Sequence, residues 1–250
     1  MEVHHHPHVE KKGFKEYFLE FLMIFLAVTL GFFAEQIRES FKEHSLQKEY
    51  VRSFYEDLKT DTGKISSVIA FDQTKNDAFN TIAACYDSVS KGMTNSCELN
   101  LLFNSISDRP FQMTDRTIKQ LANAGGFRLL EKEDADSIIV YQNAFALLQD
   151  FQSTIFQEAQ DNVRNTYNRI ANFKANVSVK LSNTGTSLYL PGNDLTTTQL
   201  FSGDKPLLNE YFNDLLVYSR IILSQQDQLV KLKQEQMILL EYFKKKYHFE

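Results

Sequence analysis

Apolar and polar positions change period several times along this 250-residue chain, and each change marks an element. From Phe18 to Ala34 the chain is predominantly apolar and only Glu20 is charged. At 1.5 Å rise per residue, Tyr17–Ala34 reaches roughly 27 Å, about one hydrocarbon core. Residues 14–34 are therefore expected to form a transmembrane helix. Beyond it, Ile37, Phe41, Val51, Tyr55, Leu58, Ile65 and Ile69 alternate in 4–3 spacing, with His44, Lys48 and Thr62 filling the gaps. Such a stripe predicts a bundle or coiled-coil helix to about Val89, continuous with the span. Past the span, Gly63 is the one glycine before Val89, and no proline interrupts the run. That scarcity of helix breakers favours one long element.

Further helices follow. A short one is expected over Glu98–Ser105, ended by Arg109-Pro110. Another covers Arg116–Ala124, N-capped by Thr114 or Asp115 and closed by Gly125-Gly126. A third starts near Glu131–Glu133 and runs to about Phe173, with Ile138, Tyr141, Phe145, Leu148, Ile155 and Ala159 on its apolar face. The pattern then switches to period two: Val177, Val179 and Leu181, then Leu188 and Leu190 after Asn183-Thr184-Gly185, read as a small hairpin. A turn-rich stretch, LPGNDLTTTQLFSGD, completes an irregular region over about 174–204. The last helix opens at Asp204-Lys205-Pro206 and carries Tyr211, Leu215, Tyr218, Ile222, Leu229, Leu232, Leu239 and Phe243 to about Tyr247.

The fold class implied is all-α. Residues 1–13 form a disordered His-rich tail, 14–34 the span, and 35–250 an elongated antiparallel helical bundle. The helix from Leu207 to Tyr247 would be roughly 60 Å long, as would the stalk from Glu35 to Lys75. Antiparallel packing would return the C-terminus to the membrane surface and put the hairpin region at the far end.

Charge refines the picture. Lys11, Lys12 and Lys15 precede the span, whereas Arg38, Lys42 and Lys48 follow it. The flanking lysines favour a cytoplasmic N-terminus and a periplasmic domain at a bacterial inner membrane. The net charge of −5, with both signs interspersed, argues against a nucleic-acid partner. The apolar run exceeds a signal-peptide core and lacks a small-x-small cleavage site before Glu35, so it reads as an uncleaved anchor.

At GFKEYFLEFLMIFLAVTLGFFAEQIRE, EYVRSFYEDLKTD and TDRTIKQLANAGGFRLL the chain resembles a family of bacterial single-span membrane proteins with a C-terminal helical domain. The residues that carry the resemblance are Tyr55, Asp57, Leu58 and Asp61, then Ile118–Leu121 and Gly126–Leu130. It covers residues 3 to about 150, and weakly Leu207–Tyr218. The family has no assigned activity, so the resemblance implies topology and helical fold and no chemistry.

Candidate functional residues are few. Glu16, Glu20, Ala27, Gly31 and Ala34 share one face of the span. An acid within a span is costly and calls for a partner or water. Ala27-x-x-x-Gly31 permits close helix packing. This face is expected to meet a protein partner or a second copy, while Phe and Leu on the other faces meet lipid; snorkelling of Glu20 toward Lys15 or Lys12 is the plainer alternative. Cys85 and Cys97 are the only cysteines. A bridge between them would close a helix–turn–helix segment, contributing about 3 kcal/mol in the chain-entropy model; two buried thiols are the other option. Lys244, Lys245, Lys246, Tyr247 and Phe249 form a basic aromatic terminus suited to anionic lipid headgroups, or simply to capping a helix.

Glu56, Asp57 and Asp61 read as a solvated or salt-bridged helix face rather than a cation site. His4, His5, His6 and His8 could bind a metal ion, but read more plainly as a solvated tail, or a remnant that resembles a purification tag, and gain charge below about pH 6.5. No HExxH, CxxC or phosphate-loop pattern occurs, and outside the tail only His44 and His248 are present. No catalytic, cofactor or metal residues are expected. The expectation is a non-enzymatic, membrane-anchored scaffold or interaction subunit of a cell-envelope complex. An extracytoplasmic ligand-sensing module and an accessory subunit of a channel or transporter are the alternatives.

Overall fold

A computed structural model describes residues 13–91, 108–123, 125–170, 178–181, 187–190 and 204–249. The expected tail histidines, Cys97, the helix over Glu98–Ser105 and most of 174–204 lie outside the described residues.

The described chain is overwhelmingly helical. Helix α1 (Phe14–Ala84) is one uninterrupted element of 71 residues, roughly 105 Å long. Helix α2 (Tyr86–Ser90) follows it. Helix α3 (Arg116–Asn123) leads through a 3-10 turn, Gly126–Leu129, to α4 (Lys132–Phe151). A π-turn at Gln152–Phe156 joins α4 to α5 (Gln157–Ile170). Helix α6 (Lys205–Tyr247) closes the chain, with Asp204 at its N-cap position and Pro206 in its first turn. Within the region expected to be irregular, Ser178–Leu181 and Ser187–Leu190 pair antiparallel, Ser178 opposite Leu190.

Helix α6 runs antiparallel to α1. Tyr247 meets Gln47, Gln236 meets Thr62, Ser219 meets Asn76, and Tyr86 meets Asn209. The residues expected on its inner face, from Tyr211 to Phe243, are all buried. The domain does not reach the apolar segment, however. Residues 35–45 are exposed on every side, and the first buried residue of α1 is Gln47, about 20 Å along the axis from Ala34. Ile37 and Phe41, expected in the packed stripe, are 56% and 74% exposed because no other element among the described residues extends that far. A bare single-helix neck therefore separates the apolar segment from the packed domain, and the C-terminus stops short of the expected membrane surface.

The core falls into two clusters. The proximal one gathers Val51, Phe54, Leu58 and Ile65 of α1 with Phe111, Leu121, Ile138, Tyr141 and Leu148, and with Leu229, Leu239 and Phe243 of α6. The distal one gathers Phe79 and Ile82 with Phe156, Val163 and Ile170 and with Leu208, Tyr211, Tyr218 and Ile222. The π-turn lies where the two clusters divide. Its i→i+5 pairing inserts one extra residue and rotates the apolar face. Ile155, expected inside, is consequently 50% exposed, and Phe156 takes the core position.

Candidate functional site

Between the two clusters sits a layer of buried polar side chains, contributed by one face of α1, the π-turn and α6. From α1 come Asp72, Lys75 and Asn76, one helical turn apart on the inner face. From α6 come Tyr218 and Gln225, with half-buried Ser219 beside them, and from the π-turn Gln152. Gln225 Nε2 donates to Asp72 Oδ2 at 2.8 Å, and Gln152 Nε2 donates to Gln225 Oε1 at 3.1 Å. With its amide oxygen and nitrogen exchanged, Gln152 instead pairs with the backbone N–H and C=O of Phe111, at 3.1 and 3.2 Å. Lys75 Nζ donates to the Tyr218 hydroxyl at 2.8 Å and lies 4.7 Å from that ring's centroid. Ser219 Oγ donates to Asn76 Oδ1 at 3.3 Å.

Two atoms of this layer have no partner: Asp72 Oδ1, an acceptor, and Asn76 Nδ2, a donor. Buried polar atoms are normally satisfied, so each such atom raises the energy of the packed state. Burial pushes the Asp72 carboxyl up to about 6, against the hydrogen bond from Gln225 and the charge of Lys75. Burial lowers Lys75 to about 8, against the charges of Asp72 and Asp108. Burial also raises the Tyr218 hydroxyl. An acid and a base both displaced toward neutrality, in a layer that includes a π-turn, form the most chemically distinctive place among the described residues.

The acids of the proximal half have different roles. Asp57 and Asp61 are buried and salt-bridged, the second of the two expected forms, Asp57 to Arg116 and Asp61 to Lys64. Asp57 accepts from the Thr117 N–H (3.2 Å), the Thr117 hydroxyl and the Arg116 guanidinium (2.7 Å). Asp61 accepts from the Thr114 N–H (2.8 Å) and hydroxyl (2.6 Å), with Lys64 at 3.0 Å. The first turn of α3 is therefore satisfied by carboxylates reaching across from α1, where the sequence pointed to local capping by Thr114 or Asp115. Glu56 is exposed and pairs weakly with Lys59. These are structural clasps; the motif residues Asp57, Asp61 and Ile118–Leu121 meet in space because α3 lies across α1.

The C-terminal group also differs from expectation. Asp134, fully buried at the start of α4, accepts from the Tyr242 hydroxyl (2.7 Å), Lys246 Nζ (2.7 Å) and the Tyr247 hydroxyl (2.5 Å). His248 turns left-handed at φ 54°, and Phe249 folds back against Tyr55 and Tyr247. Lys246, Tyr247 and Phe249 are thus drawn into the domain, because the carboxylate and the apolar surface beside α6 compete with solvent for them. Lys244 and Lys245 alone of that group point outward.

The apolar segment of α1 is long enough to cross a membrane, and none of it is buried within the chain. Glu16 accepts from the Gly13 N–H at 3.0 Å and so serves the helix start. Glu20 is half-buried, and a side chain at Gly31 would meet open space. Ala27 and Ala34 are exposed on the same side. At 100° per residue this face stands about 150° around α1 from Val51, Phe54 and Leu58, on the side the domain leaves open. Cys85 caps the C-terminus of α1 and is not a free thiol. Among the described residues no cluster of His, Cys, Asp and Glu is arranged to hold a metal ion.

No protein family, curated protein or solved structure matches this chain.

The polar layer escaped the sequence reading because its members look like ordinary surface residues in isolation. One signal was present: Asp72 and Gln225 occupy positions where the apolar stripes of α1 and α6 should carry hydrophobic residues.

Proposed function

We propose that the chain is a membrane-anchored, non-enzymatic interaction subunit, a scaffold that holds an elongated helical domain clear of a bacterial inner membrane. Residues 14–34 are its anchor, the N-terminus is cytoplasmic, and the domain stands in the periplasm. The observation that carries this reading is the apolar segment of α1: it is continuous with the packed domain, and the chain covers none of it. Lipid covers most of that surface. The Glu20, Ala27, Gly31 and Ala34 face takes a partner helix, which approaches from the open side of α1 and leaves the domain unobstructed. Cys85 pairs with Cys97, and Lys244 and Lys245 carry what remains of the contact with anionic headgroups.

The test is purification from native membranes in mild detergent, with mass determination and identification of co-purifying proteins. A stoichiometric partner or a homo-oligomer supports the reading, and a partner-free monomer overturns it. Gly31→Leu is expected to abolish association while the domain stays folded. Intact assembly would show that the face is misassigned.

A second reading, an extracytoplasmic sensing module, is favoured by the buried polar layer. Its mark is a stability gain on binding a small molecule. As an accessory subunit of an ion channel, the chain would instead show altered ion flux in Glu20→Gln with assembly intact.

A further inference from the structure

Helix α4 carries more apolar surface than the core uses. Ile138, Tyr141 and Leu148 face the bundle interior, yet Val140, Leu147 and Ile155 form a second stripe on the outer side of α4 and its π-turn. Val140 and Leu147 are two turns apart. Leu147 and Ile155 are eight residues apart, and the extra residue of the π-turn between them keeps the stripe in line. Helix α6 runs antiparallel beside it: Tyr141 meets Gln236, and Phe156 meets Tyr218. That register sets Val140 level with Ile238 and Ile155 near the level of Ile221. A groove runs between the two helices, with half-buried Phe151 and Ile221 along it. At Val140 and Ile238 it opens into a hollow of about 320 Å³. Val140, Leu147 and Ile238 are 62%, 72% and 68% exposed, and exposed Val217 continues the groove distally. Among the described residues no element covers it. A helix that is apolar on two sides is normally covered on both, and contiguous exposed apolar surface marks an interface.

The charge along the groove narrows what fits it. Asp136 of α4 and Glu235 of α6 line the hollow from opposite walls, and no lysine or arginine lines it. Lys231, one turn from Glu235, gives its ammonium to Asp227 at 2.7 Å. Lys245 lies two turns beyond Ile238. Two copies held parallel by their anchors would set this acidic pair against its own counterpart, and like charges across an interface disfavour it. Anionic headgroups are disfavoured by the same repulsion. A straight groove between two antiparallel helices seats a further helix of a bundle. We propose that the α4–α6 groove is a docking site for an amphipathic helix of another protein. That helix is roughly 20 residues long, the length of the groove from Ile238 to Val217. Its apolar stripe meets Val140, Leu147, Ile155 and Ile238, and lysine or arginine beside the stripe meets Asp136 and Glu235. This is a second interface, apart from the face on the apolar segment of α1. Only the exclusion of a second copy rests on the anchor reading; the groove and its charge do not.

Two labelled helical peptides of about 20 residues test it on the full chain in zwitterionic nanodiscs, with binding read by fluorescence anisotropy. Both carry one leucine-rich face; lysine flanks it in the first and glutamate in the second. The lysine peptide is expected to bind about tenfold tighter than the glutamate peptide, and to weaken as salt rises. The Asp136→Lys, Glu235→Lys pair should reverse that preference. The Leu147→Asp, Ile238→Asp pair should abolish binding of both peptides. All four side chains are on the surface, so the melting temperature of each variant should stay close to wild type. In native membranes, a photo-crosslinking residue in place of Leu147 should join to a segment of another protein, with apolar positions at 3–4 spacing and basic flanks. The charge-reversal pair should cut that yield about fivefold or more. Failure of both peptides to bind, equal binding of the two, binding that survives Leu147→Asp, Ile238→Asp, or cross-links confined to lipid or to a second copy would each overturn the proposal.

Discussion

Single carboxylates decide local structure in this domain, and their surroundings give them opposite signs. Asp134 receives three donors, so its carboxylate oxygens are satisfied. Asp134→Ala is expected to cost about 2–4 kcal/mol in denaturant unfolding, because Tyr242, Tyr247 and Lys246 lose their common acceptor. Asp134→Asn should be nearly as costly, since its amide would turn a donor toward donors; a neutral Asn variant would show that shape matters there and charge does not. Asp72 has one donor and one orphan oxygen, so its charge is a liability. Burial raises it to about 6 from the ordinary carboxylate value of 3.8, so the stability it confers is complete below the unfolded value and is lost as pH rises through about 6. Lys75 is lowered to about 8 from 10.5, so its contribution is complete above the unfolded value and is lost as pH falls through about 8. Both losses are in force between about pH 6 and 8. The pair should therefore carve a stability minimum at neutrality, about 1.4 kcal/mol below the stability at pH 5 or pH 9, whereas most domains are near their maximum there. Urea unfolding of wild type and Asp72→Asn across pH 5–9 checks this: the variant should lose the acid side of the minimum, and parallel curves would refute the assignment.

At the scale of elements, the long periodic helices were legible and their interruptions were not. The start of α6 at Asp204-Lys205-Pro206, its inner face and the Gly125-Gly126 stop after α3 follow from local chemistry, which acts within one turn. The π-turn was illegible because the stripe is interrupted by polar Gln152 and resumes one residue out of phase, at Phe156 where Ile155 was expected. The clasps at Asp57 and Asp61 were illegible for a related reason. A carboxylate that caps a helix 53 or more residues away carries no signature at the spacings a helix start is read from. Close approach of the 3-10 turn to α3 is a further tertiary constraint. A Cβ on Gly126 would stand 3.0 Å from Leu121 Cδ2 and 3.2 Å from Leu121 Cα, with Tyr50 at 3.4 Å. Backbone is on one side, so relief requires the turn to shift. Gly126→Ala is expected to lower stability by about 1–3 kcal/mol and to loosen α3. An unchanged melting temperature would mean that the turn gives way at no cost.

The whole molecule is a packed body on a neck, and that geometry separates two properties that are usually entangled. Folding energy resides in the core from Gln47 onward, while the distance of the body from the apolar segment is set by the exposed helix of residues 35–45. Removing residues 39–45 deletes seven positions, close to two helical turns, so the phase of α1 on either side is nearly preserved and the body approaches the apolar segment by about 10 Å. Their surfaces are open to solvent in the folded chain, so the melting temperature of the domain is expected to stay within a degree or so of wild type. In nanodiscs, energy transfer from a dye on an engineered cysteine at Lys244 to headgroup acceptors should rise in step with the shorter distance. The result also bears on Lys244 and Lys245, which the shortening brings nearer the headgroups, so binding to anionic vesicles should strengthen and become more salt-sensitive. A fall in domain stability would show that the neck packs against something the chain alone does not supply. Unchanged energy transfer would show that the body does not stand above a bilayer on this helix at all, and with that the anchor reading would fall.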